Sequence, residues 1–158
     1  MNIIIIRGLT GTGKTTLLRE IVSKFNFEKV EIDDIKREKY NTTEKCNPEE
    51  DYPEAGKRTK ELVNSDKNVV IEEPFTDLKH IDLFKQGFDE IDKHNIIYIF
   101  LKTSLSTAIE RKKGILNPHL VKAIYTADIK VDQISGELIF DTDKIGTEEI
   151  IKKLEKIL

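Results

Sequence analysis

Gly8-Leu9-Thr10-Gly11-Thr12-Gly13-Lys14-Thr15 is the stretch on which the fold of this chain turns. Before it runs Asn2-Ile3-Ile4-Ile5-Ile6-Arg7, with four consecutive β-branched apolar residues. Such a run reads as a strand buried on both faces, hence central in a parallel sheet. After it, Leu17, Leu18, Ile21, Val22 and Phe25 recur at helical spacing on one face. Strand, glycine-rich turn and helix follow one another in the order that gives the turn its chemistry.

That chemistry is phosphate binding. A glycine, four residues, then Gly-Lys-Thr lets backbone N–H groups approach phosphate oxygens at positive φ, here through Gly8, Gly11 and Gly13. The helix start adds the positive end of its dipole. Lys14 is expected to reach the β- and γ-phosphates, and the Thr15 hydroxyl to bind Mg²⁺. The candidate nucleotide contacts are therefore Gly8, Leu9, Thr10, Gly11, Thr12, Gly13, Lys14, Thr15 and Thr16, with ATP and Mg²⁺ as cofactors. The alternative is a glycine turn that merely joins strand to helix. Chance places the pattern in a chain of this length about 1% of the time, and the flanking strand and helix make chance rarer still.

The 158 residues suffice for one domain with a proper core. With 38% hydrophobic and 35% charged residues the composition is that of a globular protein with a well-charged surface. A net charge of −3 provides no global basic field, so a nucleic-acid end is a possible but not a favoured partner. Cys46 stands alone, which excludes an internal disulfide and a cysteine metal cluster. The run Ile3 to Ile6 is too short for a signal peptide or a membrane span, so a cytoplasmic location and no membrane partner are expected.

Further apolar runs place the remaining strands. Lys29 to Ile32 reads as a short second strand, ending in Asp33-Asp34. Acids just past a strand's C-terminal end lie in the crevice where open α/β sheets bind ligands. Either acid could instead cap the next helix. Tyr40 to Tyr52 is polar and reads as a loop, a candidate acceptor segment, and Pro53 to Asn64 as a helix. Asn68 to Glu72 is a third strand, and Glu72 or Glu73 at its end suits a carboxylate that supports the Mg²⁺ shell. Asp77 to Lys93 is expected to form one amphipathic helix.

The fourth strand is Ile96 to Leu101, followed by a helix that Thr103 or Ser104 could cap. Pro118 opens another helix. Leu138 to Phe140 is the fifth strand, and Thr147 is expected to cap the last helix. His80, His94 and His119 lack ligand spacing. Five apolar strands alternating with helices argue a parallel sheet covered on both faces, a three-layer α/β/α sandwich.

Over essentially its whole length the chain resembles small P-loop kinases, the group of polynucleotide 5′-kinases, zeta-toxin-like kinases, chloramphenicol phosphotransferase and gluconate or shikimate kinases. The resemblance rests on Gly8 to Thr15, Asp33-Asp34, Val69 to Phe75, and Arg111-Lys112-Lys113-Gly114 before Pro118. It implies a single domain over 1–158 with strand order 2-3-1-4-5 and a lid segment at about 111–128. It implies transfer of the γ-phosphoryl of Mg-ATP to a hydroxyl, with Asp33 taking the acceptor's proton. Lys36 falls where relatives carry an arginine that grips the acceptor, Arg111 where a lid arginine reaches over ATP, and Asp141 to Gly146 where a loop borders adenine. The identity of the acceptor stays open. A nucleotide-hydrolysing switch or ATPase module and a nucleoside monophosphate kinase are the other readings.

Overall fold

Ile3, Ile4, Ile5 and Ile6 are each fully buried, as a strand covered on both faces requires. They belong to β1, Asn2–Arg7, the middle strand of a five-stranded parallel sheet. The computed structural model describes residues 1–127 and 131–158. Helix α1, Lys14–Phe25, is followed by β2, Glu28–Glu31, α2, Ile32–Tyr40, α3, Pro48–Asn64, and β3, Val69–Glu72. Then come α4, Leu78–Gln86, β4, Asn95–Lys102, α5, Leu105–Arg111, α6, Pro118–Thr126, β5, Leu138–Asp141, and α7, Thr147–Leu154. The sheet order is β2-β3-β1-β4-β5, as the family resemblance implies.

The alternation of side chains along β1 builds two cores. Ile3 and Ile5 join Val69, Ile71, Tyr52, Phe75 and Phe84 under α2, α3 and α4. Ile4 and Ile6 join Leu17, Leu18, Ile21, Ile151 and Leu154 under α1 and α7. Ile6 pairs with Glu72 on one side and Ile99 on the other. This register sets the acid at the end of β3 beside the start of the glycine loop.

Five local expectations need correction. The second strand stops at Glu31, because Ile32 turns inward as the first residue of α2 and is 1% exposed. Asp33 and Asp34 therefore sit in the first turn of α2 and neither caps it. Helix α3 begins at Pro48, five residues before the expected Pro53, which lies inside it. Pro48 fits the first turn, where no N–H is needed. Asp51 holds the preceding loop from within the helix, accepting from the Asn47 N–H at 2.8 Å, Tyr40 Oη at 2.9 Å and Lys39 Nζ at 3.1 Å. Burial alone would raise the Asp51 carboxyl, but these donors outweigh it and hold it below its usual range.

Helix α4 ends at Gln86 instead of continuing to Lys93, and a 3-10 turn at Ile91–Lys93 follows. The cause is close approach. A Cβ on Gly87 would lie 1.9 Å from the Pro53 carbonyl oxygen across the α3 contact, so only glycine fits, and glycine weakens the helix there. At the last helix Gly146 occupies the cap position and Thr147 is the first helical residue, without a side-chain cap bond. The Ser104 expectation holds: its hydroxyl accepts from the Thr107 N–H at 3.3 Å.

Candidate active site

The glycine loop is built by β1 below and α1 ahead of it. Gly8, Gly11 and Gly13 have φ of 142°, 78° and 95°. At Gly8 a Cβ would lie 2.3 Å from the Leu101 carbonyl oxygen, so side chain and backbone conformation both demand glycine. Lys14 folds back over the loop, its Nζ donating to Gly8 O at 2.8 Å and Leu9 O at 3.1 Å. Burial pulls the Lys14 ammonium below its usual range, and the fields of Glu72, Glu73 and Asp33 partly restore it. The three carboxylates thus share one sheet edge with the loop lysine.

The Thr15 hydroxyl donates to Glu72 Oε1 at 2.6 Å. Burial raises the Glu72 carboxyl, against the opposing pull of that hydroxyl and of Lys14. Among the described residues, no cluster of three or more His, Cys, Asp or Glu side chains forms a self-sufficient metal site. The Thr15–Glu72 pair instead fits an ion carried mainly by phosphate oxygens and water, as Mg²⁺ usually is.

On α2, Lys36 is 7% exposed and reaches two acids, Asp33 Oδ1 at 3.2 Å and Glu73 Oε1 at 3.4 Å. Burial alone would lower Lys36, but Glu73 and Asp33 outweigh it and hold the ammonium above its ordinary value. Burial raises Glu73, whose other neighbour is Tyr52 Oη at 3.5 Å. Asp34 points elsewhere and binds Arg37 at 2.5 Å on the surface. The structure therefore brings Asp33, Lys36 and Glu73 together and leaves Asp34 out.

Across the loop from these acids lies a cleft of about 510 Å³, bounded by the glycine loop, Leu101, Arg111, Ile115, Thr142 and Ile145. Arg111 bridges its mouth, donating to Gly11 O at 3.2 Å, Thr142 Oγ1 at 2.9 Å and Thr142 O at 2.9 Å. Tyr125 Oη donates to Thr10 O at 2.9 Å and so pins α6 onto the glycine loop. Residue 128, the far end of the segment 111–128, lies outside the described residues.

Sequence reasoning passed over Arg7. It is fully buried, donating to Phe75 O through Nε at 3.0 Å and Nη2 at 2.6 Å, to Asp132 O at 2.9 Å, and to Glu137 Oε1 at 2.7 Å. Phe75 carries φ of 40°, uncommon for a bulky residue, and the two arginine bonds hold its carbonyl. The clue was available: an arginine closing a strand of buried isoleucines needs a buried partner. Arg7→Met would leave the Glu137 carboxylate buried and unpaired, a loss of about 3–5 kcal/mol. Thermal unfolding should shift down by about 10 °C. A shift under about 2 °C would mean that the clamp contributes little.

A family profile described as AAA domain matches residues 3–114. The chain belongs to the AAA domain family. A comparison with curated proteins finds no match. Among solved structures, this AAA domain chain is similar to a putative kinase from Chloroflexus aurantiacus j-10-fl, at 17% identity and a TM-score of 0.71, over 99% of this chain and 98% of that one. It is similar to a sugar kinase from Janibacter sp. HTCC2649, at 12% identity and a TM-score of 0.69, over 98% and 92%. The APS kinase of Mycobacterium tuberculosis, solved with AMPPNP and APS, is 15% identical with a TM-score of 0.62, over 98% and 97%. At such identities the likeness establishes the fold, that of small P-loop kinases. No helix among the described residues is long and apolar enough to cross a membrane.

Proposed function

We propose that this AAA domain chain is an ATP-dependent phosphotransferase that moves the γ-phosphoryl group of Mg-ATP to a hydroxyl acceptor. The observation that carries the reading is the meeting of the Lys14 loop with Asp33, Glu72 and Glu73 at one sheet edge. Nucleotide phosphates lie on the loop amides, with the base in the cleft beside Thr142 and Ile145. Thr15 and Glu72 would hold Mg²⁺, which supplies charge neutralisation at the phosphate oxygens.

Asp33 orients the acceptor hydroxyl and receives its proton. The new oxygen–phosphorus bond forms as the bond to the ADP oxygen breaks, and ADP leaves. Lys14 neutralises the transferring oxygens. Arg111 turns from Gly11 O toward the phosphates and stabilises the charge spread in the transition state.

The AAA domain match supports a second reading, a nucleotide-hydrolysing module in which Glu72 or Glu73 activates water. ADP release with and without hydroxyl compounds separates the two. Acceptor-stimulated release supports transfer, and a rate indifferent to every acceptor supports hydrolysis. In either assay Arg111→Ala is expected to slow turnover by about 10²-fold or more, as loss of a cation from phosphoryl transfer does. A change within about threefold, under 1 kcal/mol in barrier, would make Arg111 a surface cation.

A further inference from the structure

We propose that the acceptor carries no anionic group: it is an uncharged polyhydroxyl compound, sugar-like in chemistry, on which an amine is tolerated and a carboxylate or phosphate is not. This rests on the phosphotransfer reading above and deepens it. The basis is the disposition of charge on the acceptor edge. Asp33, Glu72 and Glu73 converge there, and the cations that face them are Lys14 and Lys36. Lys14 belongs to the phosphate loop, which leaves Lys36 for the acceptor.

Lys36 is already committed. Its ammonium lies 3.4 Å from Glu73 and 3.2 Å from Asp33. The Glu73 side chain is only 13% exposed, and its remaining partner, Tyr52 Oη, stands at 3.5 Å. To grip an incoming anion, Lys36 would abandon a buried carboxylate and leave it uncompensated, a larger loss than the new pair returns. The other basic groups of α2 and α3 nearby are held too. Arg37 binds Asp34, Lys39 binds Glu50 and Asp51, and Arg58 binds Glu38 and Glu54. Among the described residues that leaves Lys45, exposed on the loop 41–47, and Lys112, which lines the nucleotide cleft beside Lys14; a solvated lysine contributes little to holding an anion, and Lys112 faces the phosphates.

A hydroxyl compound suits the same groups without rearrangement. Carboxylates accept hydroxyl hydrogen bonds, and the Asp33 side chain, 52% exposed, is open to receive them. An ammonium on the acceptor would pair with the surplus acid, whereas an anion would face Asp33 and Glu73 directly. As Asp33 takes the hydroxyl proton, the reacting oxygen becomes the only developing negative charge on the acceptor.

The test compares four acceptors on one skeleton: glucose, glucosamine, gluconate and glucose 6-phosphate. ADP release is measured with Mg-ATP, and binding to the Mg-AMPPNP-loaded protein is followed in parallel by NMR. The neutral and aminated sugars should exceed the acid and the phosphate ester at least tenfold in kcat/KM or in affinity, since like-charge juxtaposition is strongly penalised. Glu73→Gln should narrow that gap. A preference for gluconate or glucose 6-phosphate, abolished in Lys36→Met, would overturn the proposal while leaving phosphotransfer standing. Binding of none of the four would also overturn it. Steady ADP release unchanged by a compound that NMR shows to bind would instead bring down the phosphotransfer reading itself.

Discussion

Replacing Lys14 with alanine is expected to cut ADP formation by about 10³-fold, the upper range for losing one preorganised electrostatic contact in a dry site. Nucleotide affinity should fall with it, because in the proposed mechanism the same ammonium would meet the β- and γ-phosphates before and during transfer. The geometry favours a large effect. Lys14 lies folded on the loop, bonded to Gly8 O and Leu9 O, and burial has stripped part of its hydration. A phosphate that replaces those carbonyls meets an ammonium with little water left to lose. Calorimetry with Mg-AMPPNP reads the binding arm and ADP release reads the chemistry. Equal nucleotide affinity in Lys14→Ala and the parent protein would mean that nucleotide does not sit on this loop.

The second large effect belongs to Asp33. Asp33→Asn keeps the shape of the side chain and removes its basicity, so acceptor phosphorylation should drop by about 10²–10⁴-fold, the usual range for a general base. Nucleotide affinity should change little. The neighbouring acid supplies an internal control. Asp34 is tied to Arg37 on the surface, so Asp34→Asn should stay within about threefold of the parent rate, under 1 kcal/mol in barrier. The reverse pattern would mean that the base has been assigned to the wrong acid. If both variants remained fully active, or a nucleoside monophosphate were the only good acceptor, the hydroxyl acceptor would be the wrong choice. A phosphate oxygen is already ionised and needs no base.

The elements that could be read from the chain are those whose signal is local. Four isoleucines, a glycine loop and an amphipathic helix announce themselves within Asn2 to Phe25, and β1 and α1 follow. The acids at Asp33, Glu72 and Glu73 stand at apolar runs, which is why their common edge was foreseeable. What escaped was decided at a distance. The end of α4 at Gly87 is dictated by the Pro53 carbonyl on another helix. The early start of α3 depends on Asp51 gathering Lys39, Tyr40 and Asn47. The difference between Asp33 and Asp34 lies in which of Lys36 and Arg37 each one meets, a choice made by burial of Lys36.

Arg7 and Glu137 lie 130 residues apart, so the strands between them must be made before the two can meet. A growing polypeptide exposes Ile3 to Ile6 early, and the strands that flank them, β3 and β4, arrive much later. A bare run of four isoleucines is the kind of segment that pairs with other chains while it waits. A charge directly beside such a run opposes that pairing. Arg7, which clamps the finished strand out of water, is thus expected to protect the same strand in water while the chain is being made. Its replacement by an apolar residue should lower the yield of soluble protein during synthesis, even at temperatures where the folded variant would persist.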